Sequence, residues 1–179
     1  MPEITIHPVQ QADIESLQAF EHGFYTEYVW QMSQDTTSYE SETSFRRVRL
    51  PRKVFVAYPR KRKAIFNDID QAEAFLIAEI SERAVGYLKM SSETESSVVR
   101  VTDLVVSAPV RRQGIASGLL LAGLNLAVNR NFRTVMLEMQ SKNDPAIAMA
   151  AKLGFSFCGF RDHYFPNQEL ALFYSRFAR

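Results

Sequence analysis

Apolar and polar residues alternate at the start of the chain, with Ile4 and Ile6 set between Glu3, Thr5 and His7, which predicts a short strand over residues 3–7. Ile14, Leu17, Phe20 and Phe24 then recur at helical spacing and predict a helix within residues 11–24. Residues 25–45 mix polar and aromatic side chains (Tyr25, Tyr28, Trp30, Tyr39, Phe45) and read as a second helix or a long irregular segment. Residues 53–58 (KVFVAY) read as a strand. Two β-like runs, residues 75–81 (FLIAEIS) and 84–90 (AVGYLKM), flank a short polar link and predict a hairpin. Residues 98–106 (VVRVTDLVV) carry the strongest strand signal, being rich in β-branched side chains.

The pattern changes after Pro109. Ile115, Leu119, Leu120, Leu124, Leu126 and Val128 predict a helix over residues 114–130, and residues 134–139 (TVMLEM) a strand. Asp144 followed by Pro145 has the form of an N-cap and a first helical position. Gly154 is placed to end that helix in a left-handed cap. Two closing strands are expected over residues 155–160 and 170–177. The order is mixed α/β, with strand, loop, helix, strand, helix and strand in the second half. The length suits one domain spanning residues 1–179.

Charge alters this picture in one region. The formal net charge is +1, but residues 1–45 hold eight acids and no Lys or Arg, and residues 46–63 hold nine bases and no acid. Because the positive excess is confined to one short segment, a nucleic-acid partner is disfavoured. Within it, Arg46, Arg47 and Arg49 interleave with Val48 and Leu50, as in an edge strand protected by charge. The single cysteine, Cys158, excludes an internal disulfide and any Cys-cluster zinc site. His7 and His22 have no acidic or cysteine neighbours at ligand spacing, so no metal is expected. No secretion signal is visible and no stretch approaches the length of a membrane span, so the expected location is cytoplasmic.

The sharpest local feature is Arg111-Arg112-Gln113-Gly114-Ile115-Ala116, between a strand and a long apolar helix. Gly114 and Ala116 permit close backbone approach, and the first turn of a helix offers free N–H groups with a partial positive charge. Such a cradle suits a phosphate or pyrophosphate; an ordinary glycine-capped turn is the alternative. The segment is neither a Walker loop nor a dinucleotide fingerprint.

Together with its surroundings this segment resembles the GNAT superfamily of acyl-CoA-dependent N-acetyltransferases. Residues 111–116 match the pattern Gln/Arg-x-x-Gly-x-Gly/Ala. Residues 102–106 resemble the splayed central strand, residues 137–146 the strand end and Asn-x-x-Ala helix start, and Lys152-Leu153-Gly154-Phe155 the Lys-x-Gly-Phe ending. The likeness covers residues 75–179 well and residues 1–70 only by order of elements. Within the superfamily it is nearest to streptothricin acetyltransferases, on Asp103 to Val106, Leu137 to Gln140, Asn143, Phe155, Gly159, Asp162, Tyr164, Pro166 and Glu169 to Tyr174.

The resemblance implies a mixed, mostly antiparallel central sheet with a splayed strand pair, flanked by helices on both faces (α/β, or α+β). It implies that Leu104, Val105 and Val106 pair with the pantetheine arm of acetyl-CoA. Arg111, Arg112, Gln113, Gly114, Ile115, Ala116 and Ser117 would form the pyrophosphate loop, with Asn143 touching the cofactor arm. Glu138 stands where related enzymes acetylating ribosomal-protein N-termini carry their base; a structural carboxylate is the alternative. The usual helix tyrosine is replaced by Ala150, so either another group, with Tyr164 and Tyr174 as candidates, donates a proton to the departing thiolate or the thiolate leaves unaided. For Tyr164 an aromatic packing role is the alternative. An acidic wall using Glu40 or Glu42 would favour a cationic acceptor. The implied activity is transfer of an acetyl group to a primary amine of a small, antibiotic- or polyamine-like cation. A protein N-terminus or lysine as acceptor, and a weakly catalytic acyl-CoA sensor, are the alternatives; a homodimer is left open.

Overall fold

A computed structural model describes residues 3–67, 69–93 and 97–178. Its main sheet has seven strands in the order β1 (Ile4–Pro8), β4 (Ala74–Ile80), β5 (Arg83–Ser92), β6 (Val98–Val106), β7 (Thr134–Gln140), β9 (Ala171–Phe177) and β8 (Ser156–Arg161). Every neighbouring pair is antiparallel except β6 and β7. The expected hairpin joins β4 to β5 through Ser81 and Glu82, both at positive φ, the turn whose twist suits two antiparallel strands.

Alternate residues of the central strands enter two separate cores. Leu76, Leu88, Val99, Val135 and Leu137 meet α3 (Ile115–Asn129) through Leu119, Leu120 and Leu124, and α4 (Asp144–Lys152) through Ile147. Phe75, Ile77, Tyr87 and Val105 meet α1 (Ile14–Gln18) through Leu17 and α2 (Arg62–Phe66) through Ile65 and Phe66. With both faces covered, β4 reads as a continuous apolar run rather than an alternating one. Among the described residues no helix is long and apolar enough to cross a membrane.

A bulge in β6 prepares the site. Lys89 pairs with Asp103 and Met90 with Val101, which leaves Thr102 as an extra residue. One extra residue reverses the alternation. Val99 and Val101, before the bulge, enter the core under α3, whereas Val105, after it, enters the core under α1 and α2. The parallel pairing of β6 with β7 runs only from Val98 opposite Thr134 to Val101 opposite Leu137. Beyond that the two strands part.

Residues 24–56 depart from the sequence expectation. The first helix stops at Gln18, and the segment expected to be helical or irregular is a long hairpin of β2 (Phe24–Thr36) and β3 (Ser41–Val56). The expected strand over residues 53–58 is the end of β3. The hairpin forms a sheet of its own, so most of the basic segment lies on a strand with one unpaired edge. It is docked through Trp30 N–H donating to Ser141 O (2.9 Å) and through Phe45, whose ring is 5.2 Å from that of Phe160 and 5.4 Å from that of Phe157.

Arg47 completes the docking by donating twice to Asp144, at 2.6 and 2.9 Å. That contact corrects the expected helix cap. Asn143 is the N-cap, its side chain accepting from Ala146 N–H at 3.3 Å, while Asp144 has turned to the hairpin. The Arg47 hydrogen bonds hold the Asp144 carboxyl below its ordinary value. A carboxyl lowered by folding contributes stability that is complete above its unfolded pKa of about 3.9 and is lost as pH falls through the folded value. Asp144→Asn is therefore expected to melt lower than the wild type near neutral pH. Its melting temperature should also decline less steeply than the wild type's below about pH 4, where the wild type loses this pair. Parallel dependence of the two melting temperatures on pH, from neutral down to about pH 2.5, would show that the pair does not hold the hairpin.

Candidate functional site

Where β6 and β7 part, a cleft of about 700 Å³ opens between them. Its walls are Leu104, Val105 and Val106 of β6, Leu137 to Gln140 of β7, and one side of α4 from Asn143 to Leu153. The floor at one end is the start of α3. Gly114 is its N-cap at φ 86°, and Arg112 before it is also left-handed, at φ 68°. The first bond of the helix runs from Gly118 N–H to Gly114 O, so the amides of Ile115, Ala116 and Ser117 precede the ladder. A β-carbon built on Gly114 meets nothing within 4 Å, so the space in front of these amides is open. Free N–H groups, the positive end of a 15-residue helix and an unobstructed approach make an anion seat.

Most of the residues singled out in the sequence line this cleft. Leu104, Val105, Val106, Arg111, Arg112, Gly114, Ile115, Ala116, Ser117, Glu138 and Asn143 all do; Gln113 is exposed beside it. Arg111 has other work for its guanidinium, which donates to the backbone carbonyls of Val106 (2.8 Å), Gly23 (2.9 Å) and Glu21 (2.7 Å). It ties the segment after α1 to the loop, and Arg112 is the one left facing the cleft. Asn143 spends its carbonyl oxygen on the cap, which leaves its amide N–H groups for a ligand. Ala150 is fully buried in the core under the sheet, and its neighbour Met149 faces the cleft instead. Tyr174 is likewise a core residue, packed on Phe157. Glu40 and Glu42 are exposed near the tip of the hairpin and do not line the cleft, so the acidic wall expected from them is absent.

A cluster of buried charge beside the cleft is built from residues far apart in sequence. On the face shared with Val105, Asp103 and Glu138 lie on the two parting strands, and both are almost wholly buried. Arg60, in the connection from β3 to α2, donates to Glu138 Oε2 at 2.8 Å and stands 3.5 Å from Asp103 Oδ2. Arg100 lies 3.6 Å from Glu138 Oε1. Tyr58 donates to Asp103 Oδ1 at 2.7 Å, and burial, reinforced by the Asp103 charge, pushes its phenol well above the ordinary value. Burial also raises Tyr164, assisted by the negative charge of Glu138. Tyr164 thus lies on the Glu138 side, packed on Phe165 and Phe173, but of the two only Glu138 lines the cleft.

His22, another cleft residue, is held neutral. Its Nδ1 donates to Phe20 O (2.8 Å), so Nε2 accepts from the Tyr87 hydroxyl (2.7 Å), and burial lowers its pKa. His163 is an exposed loop residue beside Asp162. Tyr58, Arg60, Arg100 and His22 had no assigned part from sequence, because nothing local marks them. Asp103 stood inside the matched strand but carries its role on its side chain, through partners 43 and 45 residues away.

Comparison with known proteins agrees with this architecture. Two relatives are each 31% identical to the chain. A streptothricin acetyltransferase of Escherichia coli matches over 93 residues, 52% of this chain and 53% of the relative. An N-alpha-acetyltransferase of Sulfurisphaera tokodaii matches over 107 residues, 54% of this chain and 64% of the relative. The chain thus spans about half to two thirds of the length of these relatives. The crystal structure of a nourseothricin acetyltransferase superposes with a TM-score of 0.82 at 19% identity, covering 98% of this chain and 99% of the other. A Bacillus anthracis protein solved in complex with acetyl coenzyme A superposes with a TM-score of 0.76 at 17% identity, with the same coverage. Residues 29–155 match the Acetyltransferase (GNAT) family, and the chain belongs to that family.

Proposed function

We propose that the chain is an acetyl-CoA-dependent N-acetyltransferase, one acyltransferase domain that acetylates a primary amine of a small cationic molecule. The observation that carries this reading is the open cleft between β6 and β7, which ends on the free amides at the start of α3. Those amides with Arg112 suit the pyrophosphate, and the edge of β6 left unpaired by β7 suits an extended pantetheine arm. Residues 1–70 would supply the variable part of the acceptor side, including Tyr58 and Arg60, and residues 75–179 the cofactor side together with Asp103 and Glu138. The two buried carboxylates beside the cleft support a cationic acceptor, as does the likeness to streptothricin acetyltransferase.

In this reading Glu138 takes a proton from the acceptor's ammonium, whose ordinary pKa is about 10. The freed nitrogen attacks the thioester carbonyl, the C–S bond breaks, and the CoA thiolate leaves. Tyr164, kept protonated by burial and by the charge of Glu138, gives its proton to that thiolate and recovers the one that Glu138 took from the ammonium. The second proton of the new amide nitrogen passes to water, so the products are an N-acetyl amine, CoA thiol and one free proton.

Thiol release measured across a panel of polyamines, aminoglycoside-type amines and free-N-terminal peptides tests the assignment. Saturable release with small cations but not with peptides is expected. Release with peptides only would replace the acceptor class by a protein N-terminus, the substrate type named for the Sulfurisphaera relative. Acetyl-CoA binding without release from any amine would leave a sensor, consistent with alanine at position 150.

A further inference from the structure

The carboxylates of Asp103 and Glu138 share one face of the sheet at the point where the strands part, with Asp103 3% and the Glu138 side chain 2% exposed. Two negative groups kept this dry require positive partners. Arg100 is only a shared one, since it also donates to Glu93 at 2.8 Å. The principal cation comes from outside the sheet. Arg60 belongs to an irregular connection rather than to a strand or helix, keeps 26% of its side chain exposed, and follows Tyr58 and Pro59, which line the cleft. Its guanidinium therefore reaches in from solvent to Glu138, a residue of the cleft wall, and to Asp103 on the same face of the sheet.

We propose that Arg60 mimics the acceptor: its guanidinium occupies the cation position between Asp103 and Glu138, and an acceptor enters by exchanging its own ammonium for it. The proposal rests on the reading of the protein as an acetyltransferase of small cations. Exchange of one cation for another leaves both carboxylates paired before and after, so the large cost of two bare buried charges is avoided. An uncharged acceptor cannot make the exchange without leaving them bare. Arg60 thus selects for charge, and its departure also uncovers Glu138 Oε2, the atom it now occupies.

The test is steady-state kinetics of Arg60→Ala with a polyamine and with acetyl-CoA. With the plug removed, KM for the polyamine should fall about tenfold while KM for acetyl-CoA stays as in the wild type. Added guanidinium ion should refill the position and return the polyamine KM of the variant towards the wild-type value. A polyamine KM that rises, or that stays unchanged while the wild type turns over, overturns the exchange and leaves the acetyltransferase reading intact. No thiol release from the wild type with any cationic amine overturns both. Should the variant not fold, the wild-type protein still decides. The Arg60 Nε–H resonance, assigned with Arg60→Lys, should move to the position of a solvated guanidinium on saturation with polyamine and not with acetyl-CoA. A resonance that does not move overturns the exchange.

Discussion

Replacing Gly114 by leucine is expected to raise the dissociation constant for acetyl-CoA about a hundredfold, close to 2.7 kcal/mol, while leaving the fold in place. The two effects separate because of what surrounds the residue. Its φ of 86° is left-handed, which costs a residue with a β-carbon about 1–2 kcal/mol. No protein atom lies within 4 Å of the added β-carbon, so the side chain meets no clash in the free protein. The thermal cost is then confined to the backbone, a fall of about 2–4 °C per kcal/mol for a chain of this size. The same open space is the approach that a phosphate needs to reach the amides of Ile115, Ala116 and Ser117, and leucine fills it. Gly114→Ala pays the same backbone cost with a smaller plug and should lie between. Titration calorimetry with acetyl-CoA reads the difference, and a leucine variant that binds like the wild type removes this loop from the cofactor site.

The cleft wall on β6 and the start of α3 were legible in the sequence because consecutive residues build them. Leu104 to Val106 and Arg111 to Ser117 each form one backbone surface, and a glycine at a strand-to-helix turn announces it. The charged cluster beside the cleft was not, because Tyr58, Arg60, Arg100, Asp103 and Glu138 meet only through sheet pairing and a loop that crosses it. Residues 46–50 and 53–58 did read as strand, but β2 and its pairing with β3 were missed for a related reason. The hairpin's docking contacts involve Phe45 and Trp30 but also the charged Arg47, whose guanidinium lies 3.5 Å over the Tyr28 ring, so no clean apolar alternation appears. Asn143 and Asp144 are both good caps, and only the distant Arg47 decides which of them caps the helix. Glu138 was singled out on a positional likeness, yet its two arginine partners were invisible, and in the proposed role they must be displaced before it accepts a proton.

Glu138→Gln is expected to lower kcat at neutral pH about a hundredfold or more, within the usual contribution of a positioned base. The amide keeps the shape and an acceptor oxygen for Arg60, so the reacting geometry is largely preserved. Only amine already deprotonated in solution can then attack. The deficit should shrink as pH rises towards the acceptor pKa of about 10, giving the variant a steeper pH–rate profile than the wild type. Tyr164→Phe separates the two proton transfers. It retains the ring and its packing against Phe173 while deleting the hydroxyl proposed to protonate the thiolate. Its kcat should fall about tenfold to a hundredfold with the acceptor KM unchanged, and raising the pH should not restore it. An acyl donor whose thiol is more acidic should restore it, because such a thiolate leaves without a proton. If Glu138 only anchors Arg60 and Arg100, its glutamine variant loses stability and acceptor affinity but keeps the wild-type pH dependence of kcat. That unchanged profile would leave the carboxylate as a counter-ion for the arginines and pass the role of base to another group.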